Sequence, residues 1–179
     1  MATINFYETD HCKLLVVANR FLLAANVLRH SSEYKNTKVL FKPTLHLTAH
    51  GIEVLLKANL VGSGFALEDI RKQYGHEICG LWDHDKNRLL RGEAFVEARK
   101  AWEQAQGGSS WQDTFNSDPE QLLEEYLRAI SALHTRESEY ALRYIAAPEI
   151  KGPRPHLLLD TFLPIADLCM RQPSVLLVS

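Results

Sequence analysis

Cysteine is scarce in this sequence and carries no pattern. The three present, Cys12, Cys79 and Cys169, are odd in number, far apart and never spaced C-x-x-C. This argues against a disulfide framework and a zinc knuckle, and it is what reduced thiols in a cytoplasmic protein look like. Long apolar runs are missing too. The most apolar stretch, Leu14 to Val27, is interrupted by Asn19, Arg20 and Asn26, and acidic Glu8 and Asp10 stand where a signal peptide has its basic segment. A soluble chain with neither leader nor bilayer span, and no membrane partner, is expected. Charge of one sign is absent: 20 Lys and Arg oppose 22 Asp and Glu, for a formal net charge of −2. No global basic field draws nucleic acid or anionic lipid, so any such binding needs a local patch. Repeats, low-complexity tracts, linkers and alternating runs long enough for a sheet are also lacking.

What remains is a chain of 179 residues, 46% hydrophobic and 23% charged, which suits one domain with a substantial core. Its pattern is helical. Between Cys12 and His30, Leu14, Ala18, Phe21, Ala25 and Leu28 recur at steps of three and four, placing them on one helical face. A polar break follows over Ser31 to Lys38. From Pro43, a first-turn proline, the period resumes with Leu45, Ala49, Ile52, Leu56 and Leu60 and stops near Gly62-Ser63-Gly64. Shorter helices are predicted over Ala66 to Tyr74, closed by Gly75, and over Glu77 to Trp82. Another carries Leu89, Leu90, Phe95, Ala98, Ala101 and Trp102 up to Gly107-Gly108, with Trp82 and Trp102 in the core and Trp111 in the loop beyond. Asp118 as N-cap, Pro119 at the first helical position and Gln121 as capping-box residue start the next helix, with Leu122, Leu127, Ile130 and Leu133 as its stripe. A last amphipathic helix spans His156 to Met170, and Pro164 within it should kink it or shift its start. Together these make an all-α, compact helical bundle built on two long N-terminal antiparallel helices, one domain over 1–179.

Three segments in this order resemble the HEPN superfamily of small helical proteins: Gly51-Ile52-Glu53-Val54-Leu55-Leu56-Lys57-Ala58, Tyr74-Gly75-His76-Glu77-Ile78 and Leu142-Arg143-Tyr144. They correspond to the family's E-x-x-x-K segment, its H-D-L-like turn and its R-Y pair, with Glu77 in place of the usual aspartate and Ile145 where proline often follows. The resemblance covers about residues 10 to 145 and leaves the C-terminal helical tail, 151–179, without a counterpart. It implies a homodimer acting by binding, in a bacterial defence or toxin–antitoxin setting, with RNA, a nucleotide or a protein as partner and no cofactor. Its enzymatic alternative is a metal-independent ribonuclease, in which an R-x4-6-H pair brought together at a dimer interface supplies a fixed cation and a group that titrates near neutrality.

Two stretches have that spacing. Arg128 and His134 lie on the late core helix and are the catalytic candidates, although six residues along a helix leave the side chains about 120° apart around the axis. Arg71 and His76 also fit, with Gly75 breaking the helix between them, and with Arg143 they are the candidate RNA or phosphate contacts. The other reading of His76 is a structural residue that caps the segment following it. His46, His50, Glu53 and Lys57 step by four, three and four residues along one helix, forming a polar stripe expected to face solvent or another subunit. Glu53 and Lys57 suit an ion pair. A metal site on His46, His50 and Glu53 is a third alternative, although one helix supplies at most three ligands and no HExxH pattern is present.

Overall fold

The computed structural model of the chain describes residues 8–108, 117–142 and 151–178. Eight α-helices are found there, and no strand among the described residues: α1 (Asp10–His30), α2 (Ser32–Thr37), α3 (Phe41–Gly62), α4 (Leu67–Tyr74), α5 (Ile78–Asp83), α6 (Arg88–Gln106), α7 (Pro119–His134) and α8 (Pro155–Arg171). The all-α bundle expected from periodicity is what the chain forms. Trp111 and Arg143 lie outside the described residues.

The Thr9 hydroxyl starts α1 by accepting from the Cys12 amide at 3.3 Å. Ser31 ends it and begins the next helix, donating from Oγ to the Leu28 carbonyl while accepting from the Tyr34 amide. The polar break expected over Ser31 to Lys38 is therefore a six-residue helix, because its first residue is a good N-cap. That turn folds α3 back along α1. Gly51 meets Leu22, and Gly62 meets His11, so the partner number falls along α3 as it rises along α1. The long pair is antiparallel.

Every residue of α3 from Gly51 to Leu60 is buried, because α1, α5, α7 and α8 all pack on it. A helix enclosed on all sides must bury its polar side chains as well, and each then needs an internal partner. Asn59 finds one by donating to Asn87 Oδ1 at 2.9 Å, while Asn87 donates to the Leu81 carbonyl at 2.7 Å. This lock fastens α3 to the junction of α5 and α6. Trp82 and Trp102 are buried, as their stripes required.

The C-terminal tail belongs to the core: Leu157, Leu158, Leu159, Phe162 and Ile165 of α8 are fully enclosed. The helix runs through Pro164, which sits on its exposed side, and starts instead at Pro155. By length and composition α1 is apolar enough to cross a membrane. Within the fold, its Leu15, Ala18, Leu22 and Ala25 are buried, and Arg29 near its end is held by Asp160 and the His156 carbonyl of α8.

His156 opens α8 edge-on to Tyr34 of α2, the ring centroids 5.9 Å apart. Burial, reinforced by the positive charges of Arg29, Arg154 and His30 and opposed by Asp160, brings its pKa from 6.5 to about 4. Between those values the unfolded chain binds a proton that the folded chain refuses. Stability from this site is thus complete above pH 6.5 and falls as the pH drops toward 4, by on the order of 2 kcal/mol once partial solvent screening is allowed for. Urea unfolding of wild type and His156→Gln at about pH 7.5 and about pH 4.5 should show the smaller acid loss in the variant; equal losses would refute this account.

Candidate functional site

The polar stripe of α3 points inward. Glu53 has a side chain only 3% exposed, and Lys57, one turn later, donates to its Oε1 at 2.6 Å. The same ammonium donates to the Gly75 carbonyl, tying the turn between α4 and α5 to α3. Gly75 has φ of 52° there, a left-handed value that favours glycine. The turn carries His76 to the carboxylate: its Nδ1 lies 3.2 Å from each Glu53 oxygen. Rather than capping α5, whose N-cap Glu77 makes no side-chain cap bond, His76 serves Glu53.

Two further histidines converge on Oε2. His134, fully buried at the end of α7, donates from Nε2 at 2.8 Å. His50 Nδ1 lies at 3.3 Å. The rings of His46 and His50 stack, with centroids 6.2 Å apart, and His46 also lies 5.7 Å from His134. Phe21 of α1 packs edge-on against His50 at 4.5 Å. The expected solvent-facing stripe is thus an interior cluster, because α7 and the α4–α5 turn close over it.

Burial pushes the Glu53 carboxyl up, but hydrogen bonds from His134 and His50 and the charge of Lys57 outweigh it and hold the group well below the usual carboxylate range. Glu53 is a buried anion. Its partners come from three separate parts of the chain, so one carboxylate fixes α3, α7 and the α4–α5 turn together.

Above this cluster opens a cleft of about 600 Å³, lined by Tyr74, Gly75, His76, Glu77, Cys79, Arg128, Ser131, Ala132, Thr135, Arg136 and Tyr140. Ser131 braces its floor by accepting from the Cys79 amide at 3.2 Å. His76, its side chain 32% exposed, spans cleft and cluster and meets Tyr140 edge-on at 5.7 Å. Burial raises the Cys79 thiol, keeping it protonated and a poor nucleophile at neutral pH.

The residues singled out from sequence fall in different places. Arg128 and His76 share the cleft. His134 is fully buried against Glu53 and does not line the cleft, while Arg128 is exposed and paired with Glu124 at 3.0 Å. Arg71 is exposed on α4 and does not line the cleft. Arg136, Tyr74 and Tyr140 carry no spacing signal that would have selected them. They meet only because the α4–α5 turn packs against the end of α7. The His134 to Glu53 contact spans 81 positions, beyond any local motif.

Comparison with models of protein families, with curated proteins and with solved structures finds no match to this chain.

Proposed function

We propose that the cleft binds single-stranded RNA and that the chain is a HEPN-like, homodimeric binding module. One observation carries this reading: Arg128, Arg136, Tyr74 and Tyr140 line a single open cleft. Arginine holds backbone phosphate, and tyrosine offers a face on which an unpaired base stacks. This is the local patch that a chain of net charge −2 requires in order to bind a polyanion. Two segments of the HEPN resemblance support the family reading, since Glu53 and Lys57 of the first meet His76 and Gly75 of the second, respectively. Leu23 and Val27, one turn apart on α1, are exposed aliphatic side chains and support a second copy as partner.

Fluorescence polarisation with a short unstructured oligoribonucleotide tests the reading. Replacing both Arg128 and Arg136 by Ala should weaken binding at least about tenfold and lower the log–log salt slope by about two. Tyr140→Ala should weaken it less, and Arg71→Ala should change nothing. An unaffected double variant, or a wild type that does not bind RNA, would overturn the proposal. Cleavage of the bound RNA that resists chelator would move the assignment to the ribonuclease alternative.

A further inference from the structure

We propose that His50, Glu53 and His134 form a binding site for one divalent transition-metal ion, zinc foremost. The inference is independent of RNA binding and concerns the interior cluster beneath the cleft. One ligand atom from each of the three residues lies within 4.8 Å of the other two. Glu53 Oε2 is 2.8 Å from His134 Nε2 and 3.3 Å from His50 Nδ1. Zinc bonds nitrogen and oxygen at about 2.0–2.2 Å, so neighbouring donors in a tetrahedral site stand about 3.3 Å apart. Both distances come within about half an ångström of that edge. Two of the three donor edges thus stand close to the spacing an ion needs, and the third lies within 4.8 Å.

The two carboxylate oxygens are divided. Lys57 occupies Oε1 and so fixes the carboxylate plane, leaving Oε2 to the histidine side. A carboxylate held by an outer hydrogen bond while presenting one oxygen is the usual arrangement around a protein-bound metal. Three protein ligands leave a fourth position for water. His76, whose Nδ1 also lies 3.2 Å from Oε2, orients the carboxylate from the cleft side. His134 and Glu53 are shut off from solvent, while the His50 side chain is 27% exposed and gives the ion a way in. Two imidazoles and one carboxylate select zinc, cobalt, nickel or copper over magnesium or calcium, which prefer all-oxygen shells. Binding replaces the ring protons that now point at Oε2, so it releases protons.

The ligand set differs from the alternative named on sequence, His46, His50 and Glu53. His46 is set beside the group rather than in it, and His134 from α7 takes its place.

The test uses the full chain without a histidine tag, stripped with chelator and titrated with cobalt(II) and zinc(II). One equivalent should bind, with the visible absorption of cobalt in a low-symmetry nitrogen and oxygen site and with a heat of binding that depends on the buffer's protonation enthalpy. Magnesium should not compete. His50→Ala, which alters a part-exposed side chain and so spares the fold, should weaken binding at least about a hundredfold. His30→Ala, an exposed histidine at the end of α1, should not. Failure of the wild type to take up either ion in the micromolar range would overturn the site, as would His50→Ala binding like wild type.

Discussion

Glu53→Gln is expected to cost about 3–5 kcal/mol of folding stability, since it strips the charge partner from a buried ammonium. Lys57 has a side chain 7% exposed, and among the described residues Glu53 is its one anionic partner, beside the Gly75 carbonyl. The glutamine oxygen can accept at one of the two carboxylate positions only and cannot balance the charge; with it turned to Lys57, the amide nitrogen would face ring nitrogens of His50 and His134. For a chain of this size, that loss lowers Tm by on the order of 10 °C. The exposed pair Arg128–Glu124 sets the scale for comparison: at 65% and 37% side-chain exposure, its removal should cost less than about 0.5 kcal/mol. The acid limb should change too. The Glu53 carboxyl is held below its ordinary 4.5, so its contribution is present above that pH and is lost as the pH falls through the folded value. Glu53→Gln should therefore flatten the acid limb of the stability profile. Thermal and urea unfolding at neutral pH and in acid measure both effects, and a variant within about 1 kcal/mol of wild type would defeat this account.

Phe162→Ala is the second large effect, at about 3–5 kcal/mol. Phe162 is wholly enclosed, meets Trp82 edge-on at 6.0 Å and belongs to the helix that packs on both α1 and α6. Truncating it leaves a cavity whose walls are rigid helices. Deleting residues 151–179 should go further and abolish cooperative unfolding, because the buried faces of α1, α3 and α6 would open to water together. A truncated chain that still melts cooperatively, with near-native helicity by circular dichroism, would show that residues before 151 fold alone.

The helices were legible because their causes are local. Gly75 closes α4, Asp118 and Pro119 open α7, and the three-and-four spacing of Leu45, Ala49, Ile52 and Leu56 marks the core face of α3. Ser31 reads in the sequence as the start of a polar break, and the Tyr34 amide bound to its hydroxyl makes it a helix cap instead. The ion pair of Glu53 and Lys57 also needed nothing beyond one helical turn.

The sequence by itself thus determined an all-α chain, the limits of its longer helices to within a few residues, and the placing of His46, His50, Glu53 and Lys57 along one stripe. Only the tertiary structure decided which way that stripe faces. Amphipathic period separates polar from apolar sides, but it assumes a helix with one face in water, and α3 has none over its second half. Its polar side is covered by α7 and by the turn at Gly75, which bring His134 and His76 to a carboxylate 81 and 23 positions away. The same packing set Arg128 and Arg136 over the cleft and turned His134 into the core. Proximity across such separations is a property of how helices stack, and no spacing within one helix encodes it.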